Sequence, residues 1–329
     1  MGKERILVID GLNIFLRSYA VVPSISENGI PCGAISGFLK SLQKTIRETN
    51  PSCVVICWES GGSKRKREIN SNYKEGRKPV RLNRFMRDQL SPQEESENKI
   101  WQLSRLTEYL EDLPVYQLLY DNVEGDDLIA FVAQLERFIS YEKIIFSSDK
   151  DFIQLLDNKT ILCRPLNKGI VEVLNVKSVV KKYAIHPNNF CLARSLAGDS
   201  SDNIKGVEGV GLKTVAKRLP FLMEEKIHYI DDVKSHCEKE IENKTKVKFY
   251  IDVNDNMKMI KENYSLMQLS SPRFSVQDKE KIKHSFENDK LEFKQASFQR
   301  KLIKDEIAVD FSFEELYTWG RRTVANEKI

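Results

Sequence analysis

Acidic residues follow closely on successive short apolar runs in this chain. Ile6-Leu7-Val8-Ile9 ends at Asp10, Cys53-Val54-Val55-Ile56-Cys57-Trp58 ends at Glu59, and Ile144-Ile145-Phe146-Ser147-Ser148 leads into Asp149 and Asp151. Continuous apolar runs of this length read as strands buried on both faces, and parallel strands bring their carboxyl ends to one edge of a sheet. Open α/β sheets place their ligands at that edge. Val123-Glu124-Gly125-Asp126-Asp127 adds three more carboxylates at the mouth of an apolar helix. Like charges gathered at one edge repel unless cations neutralise them, and an oxygen-only donor set calls for a hard divalent ion, Mg²⁺ being the usual choice.

The order of segments points to the same class. Residues 5–10 and 53–59 read as strands around a helix at 32–48, and a basic stretch follows. Then come a helix at 94–113, a strand at 115–119, a helix at 126–138 with an acidic first turn, and a strand at 143–148. This alternation predicts an α/β fold, a mainly parallel central sheet with helices on both faces. From 175 onward the pattern is helical, at 176–183, 187–197, 212–219 and 230–240. The expected organisation is a core over 1–174 that includes the basic stretch at about 60–93. A helical subdomain over 175–270 and a helical extension over 271–329 follow.

A chain of 329 residues can bury a substantial core without covalent help. Its six cysteines, Cys32, Cys53, Cys57, Cys163, Cys191 and Cys237, form no CxxC pair and read as reduced core thiols. The first apolar run is too short for a signal peptide, and no later one approaches a membrane span. A cytoplasmic monomer with no membrane partner is expected.

The formal charge of +4 hides segregation: between 64 and 87 ten Lys and Arg residues stand against Glu68 and Glu75. Such a cluster suits a polyanion, though a solvated basic loop has the same composition. The stretch 196–214 has another logic. Gly206, Gly209 and Gly211 allow a tight hairpin into a helix, whose backbone N–H groups can cradle a DNA phosphate without reading sequence. Asp199 and Asp202, at i and i+3 just before it, can face one metal.

Two-metal hydrolysis needs carboxylates converging from several elements, because two cations roughly 3.5–4 Å apart share oxygens. Asp10, Glu59, Glu124 and Asp126 are the first candidate group; Asp149, Asp151, Asp199 and Asp202 are the second, with Asp127 near the seam. Singly, Asp10 reads as a helix cap or turn residue and Asp127 as an ordinary first-turn acid. Together, on one predicted sheet edge, the acidic loops favour metal binding and phosphodiester cleavage. His186, His228, His236 and His284 stand apart from the acids without a triad arrangement, His186 as a turn residue before Pro187. Trp58, Trp101 and Trp319 read as packing residues.

These motifs resemble the 5′-nuclease family, the flap endonucleases and 5′-3′ exonucleases of bacteria and phages. Gly198 to Thr214 resembles the family's GDxSDNIPGVxGIGxKTA signature, with Lys205 where proline is usual. Val-Glu-Gly-Asp-Asp resembles its EADD element and Ser-Ser-Asp-Lys-Asp its TGDKD element. Arg67 with Tyr73-Lys74-Glu75-Gly76-Arg77 resembles its R…YKxxR element. The match runs from Arg5 to about Leu269, and the helical ending is most like a phage ribonuclease H of this family, with no polymerase expected to follow. Glu59 stands where most relatives have Asp.

The resemblance implies two Mg²⁺ ions, with Mn²⁺ as substitute, and a monovalent cation at the glycine hairpin. It implies that the stretch at about 60–93 is a basic helical arch over the site and that about 187–219 is a helix-hairpin-helix in a DNA-binding subdomain. Lys74 and Arg77 would face the scissile phosphate, with Tyr73 and Arg67 beside them and Tyr73 or Phe85 stacking on a base. Lys64, Arg65, Lys66, Lys78 and Arg81, with Gly206, Gly209, Gly211, Lys213 and Thr214, would bind DNA. Arg84 and Arg87 read equally well as plain surface charge. The implied substrate is branched or RNA-primed DNA with a 5′ end, in the cytoplasm of a phage-infected bacterial host. A single-strand binding protein or sliding clamp is the implied partner, although the aromatics between Gln299 and Glu315 form no clear clamp box. Two rivals are a PIN-type single-strand ribonuclease, which needs neither glycine hairpin nor basic arch, and a catalytically silent DNA-binding scaffold.

Overall fold

The computed structural model describes residues 4–62, 64–166, 169–244, 247–272, 274–288 and 290–327, the side chains of 65, 326 and 327 excepted. Two compact units form: Met1–Gly61 with Pro79–Ser148 and Phe274–Ile329, and Gly62–Lys78 with Asp149–Arg273.

In the first unit, β1 (Arg5–Asp10), β2 (Cys53–Cys57), β3 (Tyr116–Leu118) and β4 (Glu142–Phe146) pair in parallel in the order β3-β2-β1-β4. Ile6 to Ile9 and Val54 to Cys57 are at most 1% exposed, the two-sided burial that their apolar runs predict. Successive crossovers step from β1 to β2 to β3, and the connection through helix Gly125–Ala133 then returns to β4. Right-handed crossovers therefore put that helix on the face opposite Gly33–Thr49 and Pro92–Leu110. The latter two are tied by buried Gln102, whose Oε1 accepts from Ala34 N at 2.8 Å. The reversal lies between β1 and β4, so their carboxyl ends flank the crevice that such sheets use for ligands.

Helix Gly11–Val21, not foreseen in the sequence, follows β1 without a turn and is capped by Asp10, which accepts from Asn13 N at 3.2 Å. Gly11 makes room for Trp58: a Cβ there would lie 2.6 Å from the indole. That ring stacks on Phe38 and donates to Gln117 Oε1 at 3.1 Å, the packing role expected of it.

The C-terminal helices Val276–Asn288, Gln295–Lys304 and Phe313–Glu327 complete this unit rather than forming the separate extension expected. Phe286 packs against Tyr116 and Phe138, Phe298 meets Tyr109 edge-on, and Trp319 donates to Pro51 O at 2.9 Å. Each such side chain, fully buried, stabilises by roughly 1.5–3 kcal/mol, enough to fix these helices to the sheet unit.

The second unit holds the antiparallel hairpin β5 (Thr160–Pro165) and β6 (Val171–Leu174), and its division from the sheet unit falls at Ser148/Asp149 instead of after 174. β6 was also not foreseen. Helices Val176–Tyr183, Phe190–Ala197, Leu212–Arg218, Ile230–Glu242, Lys248–Asp255 and Met257–Met267 follow. Buried Asn263 joins three segments, donating to Ser195 O at 2.9 Å and Lys205 O at 2.8 Å. All six thiols are free, and all but half-buried Cys53 are buried. No helix among the described residues is long and apolar enough to cross a membrane.

Candidate active site

Each candidate acidic group falls within one unit. In the first, Asp10 ends β1 and its Oδ2 accepts from the Oγ of Ser147, at 2.8 Å, just beyond β4. Ser147 is wholly buried. Alongside, Ser148 donates through both N and Oγ to Asn13 Oδ1, at 3.1 and 2.8 Å. Four side chains thus lace the carboxyl ends of β1 and β4 together at the reversal point. Ser147, Ser148 and Asn13 were not singled out in the sequence; the available signal was polar residues directly flanking two acidic strand ends.

Asp10 pairs with Cys57, so Glu59, two residues beyond, lies at the same edge. Its Cβ is 3.8 Å from where a Cβ on Gly125 would sit, at the start of helix Gly125–Ala133. Glu124 is the N-cap residue of that helix yet caps no N–H with its side chain, and it is 1% exposed. Asp126 spends one oxygen on Asp127 N, at 2.8 Å. Glu124, Asp126 and Asp127 bring ligand oxygens within 4.8 Å of one another. Asp127 therefore joins the first group. At that spacing each charged pair repels by roughly 3 kcal/mol at an effective dielectric near 20, more than a helix N-terminus offsets. A hard cation relieves this, and the all-oxygen donor set fits one.

In the second unit, Asp149 is exposed and accepts from Asp151 N at 2.8 Å. Arg194, on helix Phe190–Ala197, bridges the next two acids: Nε reaches Asp151 Oδ1 at 3.0 Å and Nη2 reaches Asp199 Oδ2 at 2.5 Å. Burial, then neighbouring Asp149 and Asp199 working against Arg194, push the Asp151 carboxyl up to about 7. Burial also acts to raise Asp199, but hydrogen bonds from Ser201 and the Arg194 charge outweigh it and hold Asp199 below the usual carboxylate range. Asp202 is ion-paired with Arg77, which also donates to Ser201 O at 3.0 Å.

The turn carrying Asp199 and Asp202 depends on two glycines. Gly198 has φ +73°, and a Cβ there would meet Gly206 N at 2.3 Å; one on Gly206 would meet Ala197 O at 2.2 Å. Gly209 has φ +71° in open space, whereas Gly211 has ordinary φ and room for a side chain. Lys213 is exposed and Thr214 half-buried on the helix beyond.

The basic stretch is not one continuous arch: its described helical parts are Lys64–Ile69 and Arg84–Arg87, and it is divided between the units after Lys78. Lys64, Arg67, Arg77 and Lys78 are exposed, and the Arg65 side chain lies outside the described residues. Lys66 is 2% exposed, with its Nζ 6.0 Å from the Tyr73 ring, so it offers no surface charge here. Tyr73 is buried among Cys191, Ile204, Leu266 and Met267, away from any stacking position, because its ring fills this apolar cluster. Phe85 is 64% exposed. Lys74, at φ +57°, donates its N–H to Asp202 O at 3.0 Å. Arg81 is held by buried Glu95, donating from Nε at 2.7 Å, a structural pairing in the first unit. His186 accepts from Asn188 N at 3.2 Å in the turn position expected of it.

Residues 5–184 match the family model described as 5′-3′ exonuclease, N-terminal resolvase-like domain. The 5′-3′ exonuclease of Aquifex aeolicus is 30% identical over 64% of this chain and 67% of its own length. Flap endonuclease Xni of Shewanella sp. strain MR-4 is 30% identical over 66% of this chain and 75% of its own length. The chain spans about a quarter of the DNA polymerase I relatives it matches, 25% of that of Bacillus subtilis at 30% identity over 70% of this chain. Among solved structures, the bacteriophage T5 flap endonuclease complexed with DNA and metal ions superposes with TM-score 0.62 at 16% identity, covering 92% of this chain and 99% of that one. The T5 5′-exonuclease with bound zinc gives the same TM-score and identity, over 92% of this chain and 100% of that one.

Proposed function

The chain belongs to the 5′-3′ exonuclease family, and we propose that it is a Mg²⁺-dependent nuclease that hydrolyses phosphodiesters at or near the 5′ end of branched or RNA-primed DNA. Removal of primers or flaps during replication is the matching task. The observation that carries the reading is the cluster of Glu124, Asp126 and Asp127, within 4.8 Å of one another, at a sheet edge shared with Asp10 and Glu59.

Asp10, Glu59, Glu124, Asp126 and Asp127 would hold one divalent ion, and Asp149, Asp151, Asp199 and Asp202 a second, with Mn²⁺ able to replace Mg²⁺. When bound, such ions supply Lewis acidity toward a phosphodiester. The chain's own residues do the remaining work. Ser147 and the Asn13 N–H fix both oxygens of Asp10. Lys74 and Arg77, anchored at Asp202, offer fixed positive charge to a phosphate whose negative charge grows in the transition state. Exposed Lys64, Arg67 and Lys78 draw in a single strand, and the turn from Gly206 to Gly209 with Lys213 and Thr214 approaches a duplex backbone without reading sequence.

The C-terminal aromatics argue against a clamp-binding box. Phe298 is spent on Tyr109, Phe311 packs on Phe313, and Phe313 on Tyr317. Recruitment by a single-strand binding protein is the partner reading that remains.

The test is cleavage of a 5′-labelled flap beside an RNA-primed duplex and single-stranded RNA, in Mg²⁺ and in EDTA. Metal-dependent cutting near the flap junction, or stepwise from the primed end, supports the proposal. Products from single-stranded RNA alone would transfer it to the PIN-type ribonuclease. Tight DNA binding with no metal-dependent product would leave a silent scaffold.

A further inference from the structure

We propose that Arg194 is a positioning residue that makes divalent-ion binding at the second acidic group conditional, because an incoming ion must take Asp151 and Asp199 from its guanidinium. This rests on the reading of those carboxylates as metal ligands.

Arg194 is 13% exposed, and the side chains of Asp151 and Asp199 are 15% exposed each. Its Nη2 lies 2.8 Å from Asp151 Oδ1 and 2.5 Å from Asp199 Oδ2, while Nε adds a second bond to Asp151 Oδ1 at 3.0 Å. A largely buried guanidinium keeps its charge at any working pH, and its planar fork suits two carboxylates at once. Lone pairs that accept from it are withdrawn from a cation. The backbone of Arg194 is fixed independently of this contact, since its carbonyl accepts from Gly198 N at 2.8 Å where helix Phe190–Ala197 ends. Release of the acids therefore calls for movement of the side chain and not of the helix end. Asp202, the other acid of the turn, also carries an arginine, Arg77. Arginines thus hold this group together and partly neutralised without metal, and the second ion competes with them.

A buried guanidinium could serve only to stop Asp151 and Asp199 repelling. The two roles predict opposite effects on metal affinity. If Arg194 merely holds the acids in place, removing it scatters the ligands and weakens the ion. If it competes, removal strengthens binding.

The experiment is Mn²⁺ titration of the full chain without DNA, by calorimetry and by electron paramagnetic resonance of free Mn²⁺, for the wild type, Arg194→Gln and Arg194→Lys. Circular dichroism checks folding. The expected result is one tighter and one weaker ion in the wild type, with the weaker site strengthened about tenfold or more in Arg194→Gln, because a positive charge and a competing donor fork are both removed beside it. Arg194→Lys, which keeps the charge but loses the fork, should fall between and decides the matter if the Gln variant does not fold. Unchanged or weakened second-site affinity in the folded variants overturns the inference while leaving the metal reading intact. Absence of any Mn²⁺ binding in the wild type overturns both.

Discussion

Ser147 donates its hydroxyl to Asp10 Oδ2 at 2.8 Å, linking the carboxyl ends of β4 and β1 through a side chain with no solvent exposure. Partners of this kind aim a carboxylate and raise its value as a ligand. Ser147→Ala removes one buried hydrogen bond, so a stability loss of about 1 kcal/mol is expected. Mn²⁺ affinity at the first group should fall about tenfold because Asp10 gains freedom to rotate. Thermal melting and a Mn²⁺ titration on the same preparation check both. A loss of stability with unchanged affinity would make Ser147 a packing residue only.

Asp126→Asn tests the repulsion within the first group. Glu124, Asp126 and Asp127 lie within 4.8 Å, and one neutral amide in place of a charge removes two repulsive pairs. Solvent at half-buried Asp126 and Asp127 and the lost attraction to the helix N-terminus reduce that relief, so the metal-free variant should be more stable than the wild type by on the order of 1–3 kcal/mol, read as several degrees of melting temperature. The same variant should lose cleavage in Mg²⁺. Gain of stability with loss of activity is the pattern of a site kept strained for its ligand. A variant both less stable and fully active would refute the assignment.

The raised Asp151 carboxyl gives the metal-free protein a definite pH slope. Burial and the Asp149 and Asp199 charges lift it to about 7 in the folded chain, against an ordinary value of 3.8 unfolded. Between those values the folded chain binds more protons than the unfolded one, so stability declines as pH rises through that window and levels off above about 7. Asp151→Asn should flatten the decline, and saturating Mg²⁺ should oppose it. Melting temperatures in EDTA across pH 4 to 8, for both proteins, decide this.

Strands β1 and β2 were legible because their buried runs carry nothing else: Ile6 to Ile9 and Val54 to Cys57 are apolar without interruption, which a doubly buried strand requires. The acidic strand ends were legible for the same reason, since a carboxylate after such a run stands out. Helix Gly11–Val21 was not, because it follows β1 with no turn residues, and its cap, Asp10, was already claimed as a ligand. Nor could the sequence show that Lys66 and Tyr73 face inward or that Arg81 is spent on Glu95. Within a basic run every cation looks alike, and only packing between distant segments separates the buried from the exposed. Arg194 was missed because its partners lie 43 and 5 residues away, and neither spacing is a motif.

Gly198 and Gly209 share a positive φ but should respond differently to alanine. At Gly209 the added methyl meets open space at φ +71°, so the expected cost is about 1 kcal/mol from the left-handed backbone alone.

At Gly198 the same methyl would sit 2.3 Å from Gly206 N, 2.7 Å from Ile204 O and 2.8 Å from Gly206 Cα, none of which can rotate away. The turn must open, costing roughly 3 kcal/mol or more. Opening it also moves Asp199 relative to Asp202. Gly198→Ala should therefore lower both the melting temperature and second-site Mn²⁺ affinity, whereas Gly209→Ala lowers the first slightly and leaves the second unchanged. Duplex binding at low salt adds a third readout. If the turn serves phosphate approach, both variants weaken it, since each alters the backbone that a phosphate would face. Loss confined to Gly198→Ala would restrict the turn's role to holding the acids.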